Sequence, residues 1–230
     1  MPQDDVLIIT GASTGIGAAT ARAACASGRR VVLAARSADK LDALAEELGG
    51  AERARAVPTD VTSWADNEAL VNAALEAFGR VDAIFANAGF GAKRGWLEES
   101  PEQWRDMVLT NVLGAAYTVR AALPALKETR GHVLLTGSVA GRRALPGSLY
   151  SATKHAVHAM GEAIRADLDN TGIRTTIIAP GMVDTPFFDS PPSVEALRGE
   201  DISAAVLYAL DQPRRVNVNE ILVRPTAQGT

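Results

Sequence analysis

One cysteine, Cys25, and three histidines, His132, His155 and His158, are all the chain holds of those residue types, and the shortage excludes whole classes of chemistry. A lone thiol forms no internal disulfide framework and supplies no cluster of thiolate ligands, so Cys25 reads as a small buried apolar residue. The histidines have neither metal-ligand spacing nor a cysteine partner, so no metal site is expected. Lysine is also sparse. Only Lys40, Lys93, Lys127 and Lys154 occur, the remaining basic residues are scattered arginines, and the net charge is -4 with a pI near 5.5. Without a basic stripe to neutralise phosphates, nucleic acid is not an expected partner. No apolar run approaches the roughly 20 residues that span a bilayer, and the opening Met1-Pro2-Gln3-Asp4-Asp5 is acidic where a signal peptide is basic. No membrane association and a cytoplasmic location are therefore expected. Aromatic residues make up 5%, and Trp64, Trp96 and Trp104 read as packing residues rather than cofactor-stacking ones.

What is present is the balance of a globular enzyme: 47% hydrophobic and 22% charged residues in 230. A chain of this length buries about three-quarters of the surface its unfolded form exposes. Continuous β-branched runs at Val6 to Ile9, Val31 to Ala34, Val81 to Phe85, His132 to Leu135, Thr175 to Ile178 and Glu220 to Val223 read as buried strands, with a weaker one at Arg55 to Val57. Helical patterns lie between them. Ser37 can cap one whose Leu41, Leu44, Ala45 and Leu48 share a face, another runs from about Trp64 to Gly79, and Ser100-Pro101-Glu102-Gln103 opens a third with capping-box chemistry. That third helix runs into the 120s, where Pro124 should kink or end it. Strands alternating with helices predict one Rossmann-type α/β domain over residues 1–230, a doubly wound parallel sheet of about seven strands covered by helices on both faces.

The first strand leads into Thr10-Gly11-Ala12-Ser13-Thr14-Gly15-Ile16-Gly17 and then directly into an alanine-rich helix. Glycines there let the backbone approach a pyrophosphate, and the free N–H groups at the helix start stabilise its charge. Gly11, Ser13, Thr14, Gly15, Ile16 and Gly17 are thus candidate phosphate-binding residues. Where the second strand ends, an NAD-binding protein would present an acidic side chain, but this chain has Ala35 followed by Arg36 and Ser37. A guanidinium and a hydroxyl suit a 2′-phosphate, which favours NADP over NAD; the competing reading leaves Arg36 solvated and gives the carboxylate role to Asp39. Asp60 and Val61 follow the third strand, placed for an adenine contact or, alternatively, for capping a turn. Asn87-Ala88-Gly89 follows the fourth, where glycine admits close approach and Asn87 can tie strands together.

Tyr150 and Lys154 lie four apart in a helical stretch and so share a face. A phenol that titrates near 10 is too weak an acid for neutral-pH catalysis, and a neighbouring ammonium is expected to lower that value. Ser138, at the end of the fifth strand, can bond the same substrate oxygen.

Together Thr10 to Gly17, Asn87-Ala88-Gly89, Asn111, Ser138, Tyr150-x-x-x-Lys154 and Pro180-Gly181 resemble the short-chain dehydrogenase/reductase family over nearly the whole chain. The resemblance implies a nicotinamide-dependent oxidoreductase with Tyr150 as general acid or base. It further implies that Ser138 orients substrate, that Tyr150 and Lys154 also contact the nicotinamide ribose, and that Asn111 holds a water in a proton relay reaching Lys154. Pro180, Gly181, Val183 and Thr185 would then meet the nicotinamide carboxamide. Ala86 departs from the family's more frequent Asn-Asn-Ala-Gly, without touching the catalytic set. A homodimer or homotetramer is expected from the same resemblance, as is a short substrate lid at about 186–200, where Phe187 and Phe188 can cover a substrate.

The chain's ending, Val218 to Thr226, resembles the NADP-preferring branch of 3-hydroxy-acid dehydrogenases. A small polar ketone, aldehyde or 3-hydroxy acid is the expected substrate. Arg142 and Arg143 either pair with a substrate carboxylate or are solvated. The alternatives are a 3-oxoacyl thioester reductase, for which Arg94, Arg142 and Arg143 would form a docking patch, and a non-catalytic dinucleotide-sensing protein.

Overall fold

The computed structural model describes residues 4–187 and 195–228. Its centre is a seven-stranded, wholly parallel sheet in the order β3-β2-β1-β4-β5-β6-β7. The strands are β1 (Val6–Thr10), β2 (Arg30–Ala35), β3 (Ala54–Pro58), β4 (Ala83–Ala86), β5 (His132–Thr136), β6 (Arg174–Pro180) and β7 (Glu220–Val223). Side chains alternate between two helical layers, which is why the strands read as unbroken apolar runs. On one face Leu7, Ile9 and Leu134 pack with Ala18 and Ala21 of α1 (Gly15–Ala26), Leu41 of α2 (Ala38–Glu47) and Val206 of α7 (Gly199–Asp211). On the other, Ile8, Ile84 and Leu135 meet Leu70 of α3 (Trp64–Phe78), Val119 of α5 (Ala115–Thr129) and Val157 of α6 (Leu149–Asp167). Each fully buried aliphatic side chain contributes about 1.5–3 kcal/mol.

Three expectations change at this stage. The fourth strand starts at Ala83 rather than Val81; Asp82, just before it, bonds Val6 and His132 through its backbone, while its carboxylate accepts the Val6 N–H at 2.9 Å and pairs with Arg80. Ser37 stands at the N-cap of α2, but its hydroxyl makes no capping bond. Ser100, by contrast, does accept from the Gln103 N–H, with Pro101 at the first position of α4 (Pro101–Val108).

Pro124 neither ends nor interrupts α5, which continues to Thr129. Both Pro124 and Arg120 are exposed, so the carbonyl that the missing N–H frees at Arg120 meets solvent. The irregularity lies earlier, in a π-helical stretch (Leu109–Gly114) between α4 and α5 that carries Asn111. Such widened turns recur at functional sites.

Candidate active site

Parallel strands deliver their carboxyl ends to one edge of the sheet, and this is where the singled-out residues gather. The glycine loop joins β1 to α1. Gly11 has φ +66°, and a Cβ there would lie 3.0 Å from the Ala88 Cα. At Gly17 a Cβ would lie 2.2 Å from the Gly11 carbonyl oxygen, so only glycine lets the loop fold back on itself. No acidic side chain occupies the first turn of α1, and the Thr14 hydroxyl does not cap it. The helix start therefore keeps its N–H groups and positive dipole end for an anion, and a cradle of this kind fits a dinucleotide pyrophosphate. A cavity of about 480 Å³ opens against it, lined by Ser13, Thr14, Gly15, Asp184, Thr185 and Arg198. Gly17→Ala is expected to weaken dinucleotide binding by about 10- to 100-fold, checked by fluorescence titration; undiminished affinity would refute this role for the loop.

Thr10 and Asn87 lock the floor of the site. The Thr10 hydroxyl accepts the backbone N–H groups of Asn87 and Ala88 at 3.0 and 3.1 Å. The Asn87 amide donates to the Thr10 carbonyl and accepts from the Thr136 hydroxyl, both at 3.0 Å, so one side chain links the ends of β1, β4 and β5.

Beside this floor stands α6. Ser148 caps it by accepting from the Ser151 N–H, which sets Tyr150 and Lys154 on successive turns facing the sheet edge. Lys154 is buried, donates to the Thr136 carbonyl at 2.7 Å, and has its Nζ 5.6 Å from the Tyr150 ring centre. Burial without a carboxylate pushes the ammonium down to about 8. The expectation that Lys154 makes Tyr150 more acidic is corrected here. Burial pushes the phenol up to about 12, and what opposes that rise is a hydrogen bond from Ser138, not the lysine. Spacing put the pair on one face, but only the fold shows the ammonium turned toward the Thr136 carbonyl.

Ser138 takes its place at the end of β5 as the N-cap of a short 3-10 turn, Val139–Gly141. Its oxygen accepts the Ala140 N–H at 3.0 Å, and its one hydroxyl proton has the Pro180 carbonyl, at a longer 3.4 Å, as its alternative acceptor to the phenol. Asn111 reaches the same centre from the π-helical stretch. Its amide accepts the Phe90 N–H, donates to the Phe90 carbonyl and donates to the Thr153 hydroxyl, at 3.0, 2.9 and 3.2 Å. A Cβ on Gly89 would lie 2.9 Å from the Asn111 carboxamide oxygen and 3.8 Å from the Lys154 Nζ, so these two polar groups converge behind that glycine.

On the sheet's far side, Arg36 and Ser37 are exposed at the end of β2, and Arg36 helps hold the Asp60 carboxyl below its usual range. The larger influence on Asp60 is the Thr62 N–H and hydroxyl, so Asp60 caps a turn as well as facing Arg36. Val61 is buried against Gly114, and its carbonyl accepts from Asn67.

Arg142 is not directed at a substrate. It forms a forked pair with Glu220, leaving Arg143 as the solvated member of that dipeptide. Phe187 stands edge-on to Tyr150 with ring centres 5.6 Å apart, and Phe188 lies outside the described residues. Trp64 and Trp96 pack edge-on against Tyr117 and Trp104.

Sequence reading missed the roles of Thr10, Thr136 and Glu220. Their signal is purely spatial: a carbonyl or hydroxyl at a strand end becomes relevant only when another strand's residue lies beside it.

Residues 5–194 match the model of the short chain dehydrogenase family, and the chain belongs to that family as one of its oxidoreductases. It is 43% identical over 224 residues to an uncharacterised oxidoreductase of Staphylococcus haemolyticus, covering 96% of each chain. Among solved structures it is similar to an alcohol dehydrogenase from the archaeon Thermococcus sibiricus complexed with 5-hydroxy-NADP, with a TM-score of 0.91, 35% identity and 99% of both chains covered. It is also similar to the closed form of a serine dehydrogenase complexed with NADP+, with a TM-score of 0.92 and 30% identity over 98% of this chain and 96% of that one. Among the described residues no helix is long and apolar enough to cross a membrane.

Proposed function

We propose that this enzyme interconverts a small polar carbonyl compound and its alcohol, preferring NADP(H) and acting on substrates of the 3-hydroxy-acid type. The observation that carries the reading is the convergence of Ser138, Tyr150 and Lys154 at the carboxyl edge of the sheet, beside a glycine cradle fitted to a dinucleotide. When bound, the nicotinamide supplies or accepts the hydride. The protein's own part is proton handling and orientation. At neutral pH a phenol raised to about 12 is protonated, so Tyr150 is ready to donate to a carbonyl oxygen as hydride reaches its carbon. Ser138 already bonds the phenol, and its long bond to Pro180 is readily exchanged for one to a substrate oxygen. Lys154, with Asn111 close behind, recharges the phenolate or holds the ribose.

For the cofactor, Gly11, Ser13, Thr14, Gly15, Ile16 and Gly17 receive the pyrophosphate. Asp60, Val61, Asn87, Ala88 and Gly89 border the adenosine side, and Pro180, Gly181, Val183 and Thr185 border the carboxamide. NADP preference rests on the exposed Arg36 and Ser37 and on two similar structures that hold NADP-type dinucleotides. Serine is itself a 3-hydroxy acid, so the similar serine dehydrogenase supports that substrate class. The lid expected at about 186–200 lies partly outside the described residues, and Phe187, edge-on to Tyr150, is its part beside the site. A thioester reductase is less well supported, because the Arg142–Glu220 pair removes a cation from the docking patch that such a substrate needs.

A panel of 3-hydroxy acids, their oxo counterparts and simple ketones, assayed with NADPH and NADH, tests the reading. Turnover confined to NADH would overturn the Arg36 assignment, and turnover of no panel member would overturn the substrate class. Arg36→Ala is expected to weaken NADPH by about 10- to 100-fold while leaving NADH unchanged, since a charge-assisted bond contributes about 1.5–3 kcal/mol.

A further inference from the structure

His158 lies one helical turn beyond Lys154, is buried, and takes no part in the chemistry described above. Its ring is pressed against the loop that presents Ser138. A Cβ on Gly137 would lie 2.5 Å from the His158 Nε2, and one on Gly141 would lie 2.5 Å from its Cδ2, so both glycines leave room for the imidazole. The Ser138 backbone N–H donates to Nε2 at 3.4 Å. An N–H can only donate, so Nε2 is the unprotonated nitrogen and the neutral ring carries its proton on Nδ1. Nδ1 has no hydrogen-bond partner within normal reach, but it faces the Glu220 carboxylate on β7 at 3.7 Å, and Arg142 anchors that carboxylate in turn.

We propose that His158 is a positioning residue, an imidazole held in one tautomer by Glu220 that accepts the Ser138 N–H and so fixes the Ser138 hydroxyl against Tyr150. The inference rests on the carbonyl–alcohol reading of the site and extends it to a side chain that touches no substrate. Without this acceptor the backbone of the 138–141 turn keeps its internal bonds alone, and the Ser138 side chain keeps the long contact to Pro180 and its contact with Tyr150. A displacement of about 1 Å at such a hydroxyl costs up to about 100-fold in rate.

The arrangement is sensitive to acid. A second proton would turn Nε2 into a donor facing another donor, and the Ser138 N–H would lose its partner. Burial holds the imidazole below its ordinary value, Arg142 and Lys154 push the same way, and Glu220 pushes against them, so the ring is neutral at pH 7.

The test uses ¹⁵N-labelled full-length protein with NADPH bound, together with steady-state assays on the fastest substrate of the panel. The Ser138 amide resonance should titrate with an inflection below pH 6.5 in the wild type and lose that inflection in His158→Gln, whose carboxamide oxygen accepts without protonating. His158→Leu should lower kcat by on the order of tenfold or more with NADPH affinity unchanged, and His158→Gln should recover most of it. Wild-type kcat in His158→Leu, or equal losses in both variants, overturns the proposal. If the leucine variant does not fold, a Ser138 inflection persisting in His158→Gln overturns it instead. Ser138→Ala separates the two levels. Turnover lost there but kept in His158→Leu removes the positioning role alone, whereas turnover kept in Ser138→Ala removes the catalytic reading and this inference with it.

Discussion

Tyr150→Phe should bind NADPH as the wild type does and turn substrate over about 10²–10⁴ times more slowly, the usual worth of a positioned proton donor. The substitution deletes one oxygen and leaves the ring, so the edge-on contact with Phe187 and the cation–π contact from Lys154 both survive. Neither the glycine loop nor Arg36 is touched. Fluorescence titration with NADPH and steady-state NADPH oxidation separate the two effects. Turnover within threefold of wild type would end the acid–base assignment, because no other hydroxyl in the set has a phenol's acidity.

Lys154→Met should show a different signature: turnover reduced by on the order of 10²-fold or more, combined with a more stable protein at pH 7. The wild-type ammonium is buried without a carboxylate, and folding depresses it from an ordinary 10.5 to about 8. For such a base the folded state binds its proton less tightly than the unfolded state. The destabilisation is complete below pH 8, shrinks between pH 8 and 10.5, where the folded chain has shed the proton that the unfolded chain still holds, and is absent above. The methionine variant should therefore melt about 2–8 °C higher at pH 7, and this advantage should close as pH rises through that window. Thermal scans of both proteins from pH 7 to 10.5 without cofactor measure it. A Tm difference that stays constant across the window would mean that Lys154 is not desolvated as described.

The two substitutions also show where local reading runs short. Tyr150 and Lys154 were visible as a helical i, i+4 pair, but the sign of the phenol's shift was not. A helix turn sets which side chains are neighbours, whereas the solvent removed from them depends on β5 beside Lys154 and on Phe187 standing against Tyr150. Arg142 shows the same limit. Between Ser138 and Tyr150 in the chain it reads equally as a substrate anchor or a solvated arginine, yet β7 brings Glu220 beside it from 78 residues away. Pro124 marks a limit of another kind, since a helix breaker is tolerated when the carbonyl it frees faces water.

The order of strands and helices, the parallel sheet, the glycine loop and the Tyr–Lys spacing were determined by the sequence alone, because each depends on residues within a few positions of one another: apolar period, backbone freedom at glycine, capping chemistry. The tertiary structure alone decided the strand-end locks made by Thr10, Asn87 and Thr136, the pairing of Arg142 with Glu220, the seat of His158 behind Ser138, and the direction in which Tyr150 and Lys154 titrate. Those depend on partners 20 to 78 residues apart and on a burial that no single segment carries. The proton-bearing pair is therefore legible in the chain, while the environment that sets its acidity exists only once seven strands have brought their carboxyl ends to one edge.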